Sequence, residues 1–170
     1  MFEIKKMATK NSNLSKVNST DLPSGKGKKI GIVVAEWNNK ITFLLRDGAL
    51  KALKEAGVKT SDVMVEYVPG AIELTFGAKL FADNTEVDAV IVFGCVIKGE
   101  TPHFDYVCDS VTYGISELNL SYDIPFIFGL LTVNSLQQAI DRSGGKYGNK
   151  GEECAMAALK MAALNKRMSR

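Results

Sequence analysis

His103 is the single histidine of the chain, and it directly follows Thr101-Pro102. Threonine is a good helix N-cap and proline is favoured at the first helical position, so these three residues predict a helix start. The N–H groups of a first helical turn have no partners within the helix, and with the dipole they can hold an anion. An imidazole beside that anion is placed to move protons near neutral pH. An ordinary capped helix with a surface histidine fits the same residues. Gly99, read as a hinge, and the groups around it favour a site. Trp37 is the one tryptophan, within Glu36-Trp37-Asn38. Its flat ring suits stacking on a heterocycle, and equally suits packing on a neighbouring chain. Glu73 follows Pro69-Gly70-Ala71-Ile72. It can bond ligand hydroxyls, or serve as an acid favoured by a helix dipole. Asp141-Arg142-Ser143-Gly144-Gly145-Lys146-Tyr147-Gly148-Asn149-Lys150-Gly151 is basic and glycine-rich. Its spacing is not that of a Walker loop. Arg142 or Lys146 suits a phosphate, and a plain helix connection suits the segment too.

These residues need elements to position them. Ile30–Ala35, Val63–Val68, Ala89–Val96 and Phe126–Val133 are apolar runs without strict alternation. Strands buried on both faces of a parallel sheet read this way. Amphipathic stretches separate them. Ile41, Leu44, Leu45, Ala49, Ala52, Leu53 and Ala56 share one helical face, with Gly57 as the stop. A second helix is expected over Ala71–Ala82 and a third from Pro102 to about Asn119, with Phe104, Val107, Cys108, Val111, Ile115 and Leu118 as its stripe. Leu136–Arg142 is a short fourth helix capped by Ser135. The fifth spans about Glu152–Arg167, with Cys154, Ala158, Met161, Ala162 and Asn165 aligned. Strand–helix alternation implies right-handed crossovers and an α/β, three-layer αβα sandwich, flavodoxin-like, with a four-stranded parallel sheet of order 2-1-3-4. Ligands of such sheets sit beyond the carboxyl ends of the strands. The clusters after strands one, two and three, joined by Phe128 and Thr132-Val133-Asn134 of strand four, therefore describe one pocket.

Composition narrows the functional classes. A 170-residue chain that is 46% hydrophobic suits a single domain with a real core. No apolar run approaches the roughly 18 residues of a membrane helix, and no apolar signal segment opens the chain, so a cytoplasmic protein is expected. Cys95, Cys108 and Cys154 are odd in number and far apart, which argues against a disulfide framework and a zinc site and for small buried hydrophobes in a reducing compartment. Residues 1–29 hold seven lysines against Glu3 and Asp21, leaving the rest of the chain acidic. This stretch has no arginine and one aromatic, Phe2, so a solvated arm is expected rather than a nucleic-acid contact. The expected organisation is a flexible basic arm over 1–28, starting at Met1 or Met7, and one catalytic domain over 29–170.

Three segments carry a resemblance. Val68-Pro69-Gly70-Ala71-Ile72-Glu73-Leu74, Gly94-Cys95-Val96-Ile97-Lys98-Gly99-Glu100-Thr101-Pro102-His103-Phe104-Asp105 and Gly144-Gly145-Lys146-Tyr147-Gly148-Asn149-Lys150-Gly151 resemble the hallmark segments of lumazine synthases, in the right order from about Ile30 to Asn165. The resemblance implies that Trp37, with Asn38 beside it, stacks on a pyrimidine. Ala71, Ile72 and Glu73 would meet a ribityl chain, and Cys95, Val96 and Ile97 would make backbone contacts to the pyrimidine. Glu100 and Thr101 would hold the phosphate of a butanone phosphate, and His103 would transfer protons. Phe128 and Arg142 would come from a neighbouring subunit, Arg142 to the phosphate. It further implies no cofactor and no metal, small-molecule substrates, a pentamer or a 60-subunit shell with sites between adjacent subunits, and riboflavin synthase as a partner. The arm is expected to add a strand to a neighbour's sheet. Thr75 replaces a frequent proline and Asp141 a usual glutamate, the latter bearing on the support of Arg142. A non-catalytic flavin- or lumazine-binding scaffold is the alternative, disfavoured because a binder needs no proton shuttle. A nucleotide-binding module would want a Ser/Thr-rich loop where Trp37-Asn38-Asn39 stands. A riboflavin synthase of the same fold is separable by assay.

Overall fold

The computed structural model describes residues 23–169; the rest of the expected arm, with any strand it adds to a neighbour, lies outside the described residues. The elements run β1 (Ile30–Ala35), α1 (Asn39–Glu55), β2 (Val63–Val68), α2 (Glu73–Asn84), β3 (Ala89–Ile97), α3 (His103–Ser121), β4 (Phe126–Val133), α4 (Leu136–Arg142), β5 (Ser143–Gly145), β6 (Gly148–Asn149) and α5 (Lys150–Met168). The main sheet is parallel, in the order β2-β1-β3-β4.

The missing alternation in the apolar runs has a direct structural cause. Ile30, Ile32 and Val34 of β1 face one core layer with Leu45, Leu53, Ala158 and Leu159 of α1 and α5. Val33 and Ala35 face the opposite layer with Leu74, Ala78, Val111 and Ile115 of α2 and α3. Both faces are dry, so every position of the strand is apolar. Each fully buried Val, Ile or Leu contributes roughly 1.5–3 kcal/mol. Gly57 ends α1 as expected. At φ 93° it lets Val58 N–H reach Leu53 O (3.0 Å) and Gly57 N–H reach Lys54 O (3.0 Å), a Schellman closure.

Several expectations are corrected. Leu44 and Met161, placed on buried helix faces from the sequence, are exposed, whereas Leu45 and Ala162 beside them are buried, so the buried stripe is narrower than the spacing suggested. Cys108 is only half-buried, whereas Cys95 and Cys154 are buried. The glycine-rich segment is not a plain loop but a small antiparallel hairpin, β5–β6, with Gly144 and Gly148 at positive φ. Residues 24–28, assigned to the arm, are held in a turn: Gly25 N–H donates to Ala56 O, and Lys28 Nζ to Asp88 Oδ1 at 2.6 Å. Thr75 packs its side chain where a β-carbon on Gly114 would lie, so α2 and α3 meet closely there.

Candidate active site

β3 outruns β1. The two strands pair only as far as Val34 and Phe93, so Gly94–Ile97 continue with β4 alone as partner. Asn38 fills the missing rung. It adopts the left-handed conformation (φ 58°, ψ 40°), and its Nδ2 donates to Cys95 O at 2.8 Å. Its own carbonyl accepts from Ile41 and Thr42 N–H, which starts α1. Trp37 N–H donates to Pro69 O at 3.1 Å, tying the first turn to the second. The consequence is a fixed rim in which Trp37 stands out from the surface, 73% exposed.

Behind that rim lies an open cleft of ≈ 420 Å³ at the carboxyl end of the sheet. Trp37 and Asn38 form one wall; Gly70, Ala71, Ile72 and Glu73 form the next. Cys95, Val96, Ile97, Gly99 and Thr101 make the floor and far side, and His103, Phe104 and Val107 close it from α3. A β-carbon on Gly70 would lie 3.1 Å from Glu73 Oε2, so this carboxylate folds back over the Pro69-Gly70 entry. Burial pushes the Cys95 thiol up to about 11, so it enters the floor as a neutral group. Among the described residues no cluster of His, Cys, Asp and Glu suits a metal ion.

Ten of the sequence-predicted site residues therefore converge: Trp37, Asn38, Ala71, Ile72, Glu73, Cys95, Val96, Ile97, Thr101 and His103. Glu100 is exposed beside Thr101 but is not part of the wall. Phe128 and Arg142 do not line the cleft of their own chain. Phe128, expected to join the pocket at the end of strand four, is the third residue of β4, paired with Val92 well below the rim. Thr101 does not cap α3: the N-cap position is Pro102, and no side chain caps the helix. Pro102 O takes Asp105 N–H (3.0 Å), and the N–H groups of His103 and Phe104, lying ahead of it, have no acceptor within the helix. The anion-binding capacity of the helix start is thereby kept. Arg142 is supported by Glu153 and the Tyr147 carbonyl, not by Asp141, which accepts from Gln137. Phe104 and Val107, assigned to a core stripe from their spacing, are also cleft walls. A helix whose first turn overhangs a cleft gives no periodic signal of it.

A larger trough of ≈ 720 Å³ runs along α2 and α3, lined by Ile72, Thr75, Tyr113 and polar residues of α3. It contains neither the histidine nor the tryptophan, and its openness to solvent suits a surface for another chain better than a small ligand.

A doubly wound parallel sheet with a bare helix start, an imidazole and an exposed indole around a cleft at its carboxyl edge defines a class: α/β proteins whose cleft lies beyond the carboxyl ends of parallel strands. Residues 27–166 match the family model of 6,7-dimethyl-8-ribityllumazine synthase. A protein of Parabacteroides distasonis named 6,7-dimethyl-8-ribityllumazine synthase is 58% identical over 155 residues, covering 91% of this chain and 97% of the relative. Its namesake in Bacteroides fragilis is 58% identical over 133 residues (78% of this chain, 93% of the relative). That of Phocaeicola vulgatus is 49% identical over 164 residues (96% and 98%). The chain belongs to the 6,7-dimethyl-8-ribityllumazine synthase family.

Proposed function

We propose that this protein condenses 5-amino-6-(D-ribitylamino)uracil with 3,4-dihydroxy-2-butanone 4-phosphate to 6,7-dimethyl-8-ribityllumazine, the penultimate step of riboflavin biosynthesis. The carrying observation is the convergence of Trp37, Glu73, Thr101 and His103 on one cleft at one edge of the sheet. The substrate's amine attacks the ketone carbon and water leaves as the imine forms. Phosphate is then eliminated, and ring closure releases a second water. The nucleophile belongs to the substrate, so no protein nucleophile, cofactor or metal is needed. The chain's tasks are positioning, stabilising the leaving phosphate and moving protons. Trp37 stacks on the pyrimidine beside Asn38. The backbone of Cys95, Val96 and Ile97 reads its edge, and Ala71, Ile72 and Glu73 receive the ribityl chain. Glu100, Thr101 and the opening N–H groups of α3 hold the phosphate, and His103 transfers protons.

Phe128 and Arg142 serve the cleft of an adjacent copy. Support comes from their absence from their own cleft and from large exposed apolar side chains: Phe76, Tyr106, Tyr113 and Leu120. Tyr106, Tyr113 and Leu120 recur every seven residues along α3 and so share one helix face, and an exposed apolar face marks protein contacts. The assembly is a pentamer or a 60-subunit shell, with riboflavin synthase as a partner, in the cytoplasm; residues 1–23 form its basic arm, residues 24–28 being tied to Ala56 and Asp88. Supplying both substrates to the full-length protein and following lumazine absorbance tests the activity; no product from folded, assembled protein refutes it. Light scattering reads the assembly, and an active monomer would remove the shared site.

A further inference from the structure

Arg142 ends α4 with its guanidinium committed on two sides. Nη1 donates to Tyr147 O at 2.7 Å, within the turn of the β5–β6 hairpin. Nη2 donates to both carboxylate oxygens of Glu153, at 2.8 and 3.0 Å. Tyr147 N–H donates to Asp141 O at 2.9 Å, which folds the hairpin back on α4. Lys150 Nζ stands 3.3 Å from Glu153 Oε2 on the first turn of α5. The Arg142 and Glu153 side chains are only 13% and 16% exposed. A guanidinium is planar, so bonds from two of its nitrogens fix the plane in which its other N–H groups lie.

We propose that Glu153 is a positioning residue. It holds the Arg142 guanidinium in one plane, so that the N–H groups not taken up by Glu153 and Tyr147 are fixed in direction before the phosphate of the butanone phosphate in the adjoining copy arrives. This rests on the reading that Arg142 serves that phosphate. Arginine has many rotamers, and fixing one before the ligand arrives removes an ordering cost from binding. Lys150 offsets the charge that Glu153 would otherwise set against an incoming dianion. The bridge spans α4 and α5, so the aim of Arg142 depends on the hairpin that brings the two helices together.

Positioning and simple electrostatics predict opposite signs. If Glu153 acted only as a negative charge near the phosphate site, Glu153→Gln would tighten phosphate binding. A positioning role makes Glu153→Gln weaken it, because charge-assisted bonds become neutral ones and the guanidinium is released. The test is steady-state kinetics of full-length Glu153→Gln with each substrate varied, with inorganic phosphate as a competitive inhibitor. Expected are a rise of about tenfold in KM for the butanone phosphate, a matching rise in the phosphate inhibition constant, and KM for the pyrimidine within about twofold. In an Arg142→Ala background, Glu153→Gln should change the phosphate constants by less than about twofold, since its effect passes through Arg142. Equal or tighter phosphate binding in Glu153→Gln, or a full effect in the Arg142→Ala background, overturns the positioning role. If Arg142→Ala alone leaves the phosphate constants unchanged, the underlying reading of Arg142 fails instead. Melting curves and native mass check that each variant folds and assembles. If Glu153→Gln does not, Glu153→Asp keeps the charge, shortens the reach, and should move KM in the same direction by less.

Discussion

Asn38 allows the link between backbone strain and site geometry to be measured. Its side chain substitutes for a strand partner at Cys95 O, and its backbone lies at φ 58°. Asn38→Ala imposes two costs. An alanine in the left-handed region costs about 1–2 kcal/mol, where asparagine is better tolerated. Loss of the 2.8 Å bond to a part-buried carbonyl costs about another 1 kcal/mol. The expected total is roughly 2–3 kcal/mol. For a chain of this length each kcal/mol lowers Tm by about 2–4 °C, so the melt should fall by about 4–12 °C. Asn38→Gly restores the backbone conformation and loses only the bond, so about 1 kcal/mol is expected beyond a small entropy term. Asn38→Asp tolerates the backbone but points an acceptor at a carbonyl, and should be at least as damaging as alanine. Melting must be read at fixed protein concentration, because an assembling protein gains stability by mass action. The same variants should raise KM for the pyrimidine, since Trp37 and Cys95–Ile97 are located by this turn. The reasoning is refuted if Asn38→Gly is as unstable as Asn38→Ala, which removes the conformational cost, or if Asn38→Ala melts like wild type, which removes both.

His103→Ala should lower kcat by roughly 100-fold with the melt unchanged, the usual scale for losing a general acid–base group; an unchanged kcat would take His103 out of the chemistry. Gly151→Ala would drive a β-carbon into the Leu45 carbonyl oxygen at the α1–α5 seam. About 1–3 kcal/mol of overpacking, against up to about 1 kcal/mol gained in helix propensity, should give a net loss seen as a lower Tm; a rise would mean the seam yields freely. Burial pushes the thiols of Cys95 and Cys154 up to about 11 and about 12. Unfolded thiols ionise near pH 8.5, so the unfolded chain loses protons that the native chain keeps, and stability should be whole below about pH 8.5 and decline from there toward about 11. A Cys95→Ala/Cys154→Ala variant should show a shallower fall of Tm above pH 9; an identical slope would place the ionisation elsewhere.

The sequence by itself determined the sheet and its ligand-bearing edge. Apolar runs with no alternation pointed to strands buried on both sides, which holds for β1 and most of β3 but not for β2, an edge strand with Met64 and Tyr67 exposed; helical stripes between the runs leave the parallel crossover order as the consistent arrangement. The order 2-1-3-4 is what the structure shows. Ten site residues were legible because each lies at or just past the carboxyl end of its strand, and chain direction in a parallel sheet carries all such residues to one edge. What only the tertiary structure decided depends on partners distant in sequence. The Arg142–Glu153 bridge crosses a hairpin that glycines at positive φ make possible, whereas the family resemblance tied the support of Arg142 to Asp141. Asn38 bonding to Cys95 requires β3 to outrun β1, a matter of register that no single segment encodes. The cap assigned to Thr101 failed because cap bonding follows the path by which the chain enters the helix, not the residue type alone. Local patterns specify which face of an element is apolar. How far one element reaches past its neighbour is settled when the pieces pack, and the fine geometry of the cleft is built from those offsets.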